Sequence, residues 1–244
     1  MADSKGTASR GDQLKAMNAF FAKSDARDKL CATIQYALLF AHAGQAGKVK
    51  KAQAAIAASR KVFRILKPVE ALTPILADPF ARNASKDDPA SLVALRRLQS
   101  LCMALYFGGD HVAWSKSAGL IESEETASLA QKVSMYSWFM GSVCKALSEL
   151  YELSRLSKKT NDQLKGLEEE DARSDVRARA DAVAAKRSFT VAHACVQATL
   201  ALGLAKAVDL KPRTLGALGV AASVMNLYMM LPGSFKPALK AKAA

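Results

Sequence analysis

The residues of this chain that are best spaced for chemistry are basic, and the chemistry they suit is binding an acidic partner, with no bond made or broken. Arg60, Lys61, Arg64 and Lys67 recur through SRKVFRILKPVEAL, residues 59–72. At 3.6 residues per turn, Val62, Ile65, Leu66, Val69 and Leu72 fall within about 120° of one another, and Arg60, Arg64 and Lys67 lie opposite. Such a basic amphipathic helix lies in a membrane surface or on an acidic partner. The same pattern also fits a surface helix covering a core. With Phe63, these ten positions are the candidate lipid-binding residues.

The other chemistry-bearing side chains offer less. Cys31, Cys102, Cys144 and Cys195 are far apart in sequence with no C-x-x-C spacing, which predicts buried reduced thiols and no zinc site. His42, His111 and His193 are isolated from one another and from the cysteines. Asp110-His111 beside Gly108-Gly109 reads as a turn with an exposed histidine. There is no phosphate loop, G-x-G-x-x-G, H-E-x-x-H or G-x-S-x-G motif. The reading is therefore no enzyme, no cofactor and no metal. A net charge of +13 calls for an acidic partner. No zinc-finger spacing, RNA-binding signature or basic-zipper pattern accompanies it, so anionic lipid is expected and nucleic acid is not.

Half of the 244 residues are hydrophobic and 23% are charged. The mean hydropathy is +0.03. That balance is too polar for a multi-span transporter and predicts soluble helices with a small amount of membrane. The N-terminus lacks the apolar core of a secretory signal, so residues 1–11 are expected to be a disordered leader.

The elements that must position the basic stretch read as helices throughout, with no β-type alternation. Ser24 caps a helix whose face is Leu30, Ile34, Ala37, Leu38 and Ala41. AGQAG at 43–47 breaks it, and an Ala- and Lys-rich helix then runs from 48 to 67. Pro68 bends that helix or restarts it. If the helix stops at Lys67, the apolar face shrinks to barely two turns. Residues 73–89 read as a loop. Asp88-Pro89 starts a helix with Leu92, Leu95, Leu98, Cys102 and Leu105 inward, ended by Gly108-Gly109. Ser123, followed by Glu124 and Glu125, opens a long helix to Lys159, and 160–187 reads as a charged helix or linker.

Residues 188–205 and 214–231 carry no formal charge, each about 18 residues and at the lower edge of a membrane span. In the second, Gly216, Gly219 and Ser223 are spaced for close helix packing. Basic flanks on the outer sides place both ends in the cytosol if both segments cross. The expected organisation is a helical body over 12–187 containing the amphipathic segment 59–77, a membrane hairpin over 188–231, and a basic cytosolic tail over 232–244. The fold class is all-α, a helical membrane protein with one or two C-terminal spans.

Taken in order, four stretches resemble the peroxisomal membrane protein 11 family, plant-type branch. They are SDARDKLCATIQYA, then SRKVFRILKPVEAL, then HVAWSKSAGL with VSMYSWFMGSVC and ELYELSRLSK, and finally KPRTLGALGVAASVMNLYMMLP. The resemblance implies a non-enzymatic, multi-pass peroxisomal membrane protein that promotes curvature, elongation and fission. It implies that Val62, Ile65, Leu66, Val69 and Leu72 wedge beneath the headgroups of the cytosolic leaflet. Arg60, Lys61, Arg64 and Lys67 would meet anionic lipid, each contributing about 1 kcal/mol. It also implies self-association and recruitment of dynamin-related fission machinery. The ending Lys240-Ala241-Lys242-Ala243-Ala244 is a K-x-K-x-x sorting motif that coatomer can read. Alternatives from other classes are a metabolite channel, for which His193, Gln197 and Asn226 are thin pore-lining material, and a soluble helical adaptor. A membrane hairpin keeps the protein in the pellet after alkaline carbonate extraction, whereas an adaptor is released to the supernatant.

Overall fold

In a computed structural model of the chain, the described residues are 9–85, 87–232 and 235. Most of the expected leader (1–8) and the Lys240/Lys242 motif lie outside them. Among the described residues every regular element is helical: α1 (Arg10–Ala22), α2 (Ser24–His42), α3 (Lys48–Val62), α4 (Lys67–Ala77), α5 (Ala90–Ser117), α6 (Glu124–Lys165), α7 (Glu170–Leu204) and α8 (Pro212–Met230). Arg10 and Gly11, counted with the leader, belong to α1, whose cap is Ser9 accepting from the Asp12 amide.

Neighbours close into a ring. α2 lies between α3 and α8, α7 joins α8 to α6, and α5 packs on α6 and touches α3. α4 lies against α5. The centre holds Ala32, Tyr36, Tyr106, Met135, Trp138, Leu200, Ala201 and Ala222, with Tyr106 and Trp138 stacked at 5.1 Å between ring centroids.

Several boundaries differ from expectation, each for a packing reason. Gly108-Gly109 does not end α5, which runs on to Ser117. A Cβ on Gly109 would lie 2.7 Å from the Ala130 carbonyl oxygen, so glycine here lets α5 approach α6. Asp110 and His111 are consequently mid-helix, Asp110 buried and His111 half-buried, with the ring Nδ1 2.6 Å from the Phe107 carbonyl. Residues 73–77 finish α4 and are not loop. The charged 160–187 stretch is the end of α6, a turn, and the start of α7, so 188–205 continues a helix begun at Glu170. Ser123 caps α6 as expected, but Lys23, not Ser24, occupies the cap position of α2.

The faces of α2 and α5 are also turned. α2 buries Ala26, Asp28, Ala32 and Tyr36, leaving Leu30 and Ile34 exposed. α5 buries Leu92, Cys102, Ala104, Tyr106 and Asp110, while Leu98 and Leu105 face outward with Leu101. Of the cysteines, Cys102 and Cys144 are buried, Cys31 is intermediate and Cys195 is exposed. No helix of the described residues is long and apolar enough to cross a membrane. α8 does pack closely, as its small residues imply. A Cβ on Gly216 would lie 2.5 Å from the Phe40 amide nitrogen, and one on Gly219 would lie 2.1 Å from the Tyr36 ring.

Gly219→Val is therefore expected to lower stability by about 1–3 kcal/mol or more by overpacking the α2–α8 crossing. Gly108→Ala, where nothing lies within 4 Å of the added Cβ, should be neutral or gain up to about 1 kcal/mol from lost chain entropy. Thermal unfolding of the purified protein in detergent compares the two.

Candidate membrane-binding corner and the ion network behind it

The amphipathic stretch is a corner between two helices. α3 ends at Val62, and residues 63–66 turn through successive i to i−3 bonds, with the Arg64 amide donating to the Lys61 carbonyl at 3.1 Å and the Lys67 amide to the Arg64 carbonyl at 2.9 Å. α4 then restarts at Lys67, with Pro68 in its first turn, where the missing N–H breaks no intrahelical bond. Restart, not a bend, is the outcome at Pro68. The break falls before it, so Val69 and Leu72 belong to α4.

The corner keeps its apolar residues outside. Val62, Ile65, Leu66 and Val69 are 54%, 53%, 67% and 60% exposed, and Leu76 and Phe80 continue the surface. Phe63 and Leu72 are half-buried. The cations are placed oppositely to expectation. Arg60 and Arg64 are buried, and Lys61 and Lys67 are half-buried and paired. In this fold the four charges meet carboxylates from α2, α4 and α5. Arg60 Nε donates to Asp28 Oδ1 at 3.0 Å and Nη1 to Gln35 Oε1 at 2.6 Å. Arg64 sends Nη1 to the Tyr106 hydroxyl at 3.0 Å, and its Nη2 lies 3.0 Å from Asp110 Oδ2. Arg64 Nε also lies 3.5 Å from Asp28. Lys61 pairs with Asp110, and Lys67 sits 2.7 Å from Asp25 and 2.5 Å from Glu70.

The electrostatics follow from this crowding. Burial alone would raise the Asp28 carboxyl, but Lys29, Arg60 and Arg64 hold it well below the usual carboxylate range. Burial, reinforced by Arg64 and Arg60, pushes the Lys61 ammonium down to about 7. Behind the network lies a central cavity of about 270 Å³ lined from α2, α3, α5, α6, α7 and α8. Gln197 and Asn226 line it, while His193 is buried away from it.

Sequence reasoning missed Asp28, Asp110 and Tyr106 as partners. A lone acidic residue on a helix carries no periodic signal, and only the fold brings Asp28 and Asp110 to one point. It also passed over Lys48, Lys50 and Lys51, exposed on the first turn of α3 and paired with no described carboxylate. The run KVKK was the legible signal for them.

Asp28→Asn removes the carboxylate partner of buried Arg60 and the more distant one of Arg64, and removing one partner of a buried pair costs about 3–5 kcal/mol. Because the folded carboxyl is depressed, its stabilisation is present above the ordinary carboxylate pKa and is lost as pH falls through and below it. Denaturant unfolding should therefore show the largest deficit of the variant near neutral pH, and a narrowing gap below about pH 4.

The chain matches the family model of Peroxisomal biogenesis factor 11 (PEX11) over residues 14–231. Peroxisomal membrane protein 11-1 of Oryza sativa subsp. japonica is 31% identical over 224 residues, covering 91% of this chain and 92% of the relative. Peroxisomal membrane proteins 11D and 11C of Arabidopsis thaliana are each 30% identical over 213 residues, covering 86% of this chain and 88% of each relative. No solved structure gives a significant match. With most of its length aligned to plant members, the chain belongs to the Peroxisomal biogenesis factor 11 family, whose members are biogenesis factors and not enzymes.

Proposed function

We propose that this protein remodels the peroxisomal membrane, promoting elongation and fission, by seating the apolar corner between α3 and α4 beneath the headgroups of the cytosolic leaflet. The observation that carries the reading is the row Val62, Ile65, Leu66 and Val69, each more than half exposed, on a corner clamped to the body by ion pairs. A clamped corner inserts as a rigid wedge, with little further ordering entropy to lose on the membrane. Lys48, Lys50 and Lys51 supply the attraction to anionic lipid, in place of Arg60, Lys61, Arg64 and Lys67. Each exposed lysine near the surface contributes about 1 kcal/mol, and the attraction falls with salt.

The outward apolar rows support residence in a membrane. Leu98, Leu101 and Leu105 on α5 lie outside, as do Val133, Tyr136, Met140 and Leu147 on α6, while Asp28, Arg60, Arg64 and Asp110 are buried. Water penalises such an arrangement, and hydrocarbon favours it when the interior polar groups are paired. A multi-pass topology with both termini cytosolic rests on the basic flanks of the C-terminal segments. Self-association, recruitment of dynamin-related fission machinery, and coatomer reading of the tail lysines complete the reading by family resemblance.

The full-length protein is expected to tubulate liposomes containing anionic lipid. Ile65→Glu with Leu66→Glu should abolish tubulation while leaving the helical content intact, because both side chains point away from the body. Undiminished tubulation by the double variant would remove the corner from the mechanism.

A further inference from the structure

The corner's cations do more than clamp α3. Lys29, Arg60, Lys61 and Arg64 meet two carboxylates, Asp28 and Asp110, and no third described carboxylate pairs with the group. The cluster therefore carries a surplus of two positive charges when all members are ionised. Arg60 and Arg64 are buried, and Lys29 and Lys61 are less than a quarter exposed. Uncompensated charge at such depth is strongly unfavourable. Burial first, and then the neighbouring Arg64 and Arg60, depress the Lys61 ammonium.

The surplus has somewhere to be neutralised. Lys29, Arg60, Lys61 and Arg64 all line the central cavity, while Asp28 stands outside its lining and Asp110 is the one acidic residue there. The cavity wall is thus more basic than the network as a whole. Uncommitted amide groups face the same space. Gln35 spends its carbonyl on Arg60, leaving its NH2, and Gln131 and Gln197 have no hydrogen-bond partner among the described residues. Across from the cations stand Met103, Met135, Trp138 and Leu200, an apolar wall. A volume of about 270 Å³ is just under the roughly 300–1,000 Å³ usual for small-molecule pockets. That is room for a small organic anion or one headgroup, and not for a whole lipid.

We propose that this cavity is a binding site for a small organic oxyanion, a phosphate ester or headgroup phosphate, held by Arg60, Lys61 and Arg64 with Gln197 as a neutral donor and its organic part against Trp138. Guanidinium forks match phosphate oxygens in pairs, which favours an oxyanion over chloride. The occupant bridges α3 to α5, α6 and α7, so its presence stiffens the same corner that faces the membrane. The site stands apart from the wedge reading: the corner could insert with the cavity empty.

The test uses the full-length protein in two arms, lipid-free detergent and nanodiscs, with glycerol 3-phosphate and inorganic phosphate as probes against chloride at equal ionic strength. The readouts are the melting temperature and the emission of Trp138, with Trp114→Phe removing the second tryptophan. The expected result is a saturable emission change and a raised melting temperature with phosphate or glycerol 3-phosphate, and neither with chloride. Lys61→Met should weaken the response about tenfold or more. Gln197→Leu, which leaves every ion pair in place, should weaken it by a smaller factor without lowering the melting temperature of the unliganded protein. A response in detergent identifies a free oxyanion. Native mass spectrometry of protein from nanodiscs, showing a bound phospholipid that Lys61→Met and Gln197→Leu lose, identifies a headgroup as the source. Absence of both signals, or responses that neither variant changes, overturns the proposal.

Discussion

Asp28 sits between Arg60 of α3 and Arg64 of the turn that follows it, and much of the molecule's arrangement follows from that placement. Its carboxylate holds Arg60 and Arg64 against α2, and Asp110 holds Lys61 and Arg64 against α5. α3 makes little contact with α5 otherwise, so these ion pairs close the ring of helices there. A buried ion pair is weak evidence for net stability, since hydrophobic replacements of equal volume often do as well. Its value here is specificity. In the rotation of α3 that meets both carboxylates, Val62 and, in the turn beyond, Ile65 and Leu66 face outward.

The same logic orders the rest of the body. With some charges and hydroxyls inside (Asp28, Arg60, Arg64, Asp110, Ser134, Ser142 and Ser148 are all buried), Leu30 and Ile34 on α2, Leu98, Leu101 and Leu105 on α5, and Val133, Met140 and Leu147 on α6 point out. Ser134 donates to the Tyr106 carbonyl at 2.8 Å across the α5–α6 contact, so that polar atom is satisfied where it is buried. Further along, Arg187 lies 2.8 Å from Glu149 and 3.4 Å from Glu152, tying α7 to α6. The exposed apolar rows are thus accompanied by paired polar contacts within.

Small residues link this network to the C-terminal helix. Gly216 and Gly219 bring α8 onto Phe40 and Tyr36, and the opposite edge of Tyr36 lines the cavity with Arg60 6.0 Å from its ring centre. A change in the α2–α8 crossing therefore reaches the cation cluster through one aromatic side chain.

The sequence by itself determined the helical class, the break at 43–47, the capping of α6 by Ser123, the close packing of α8, and the family through an ordered set of motifs. These are local or additive properties, carried by periodicity, caps and residue size. It also marked 59–72 as the stretch of interest, of whose apolar residues Val62, Ile65, Leu66 and Val69 are exposed and Phe63 and Leu72 half-buried. Which way the helices face was decided only in three dimensions. On α5, expected to turn Leu92, Leu95, Leu98, Cys102 and Leu105 inward, Leu92 and Cys102 are buried but Leu98 and Leu105 lie outside, and on α2 Leu30 and Ile34 lie outside while Asp28 is buried. The partners of Arg60, Lys61 and Arg64 come from 25 to 49 residues away, a separation that no helical period encodes. A wheel shows which side chains share a face; what that face meets is set by long-range pairing, here a carboxylate and a cavity where lipid was expected.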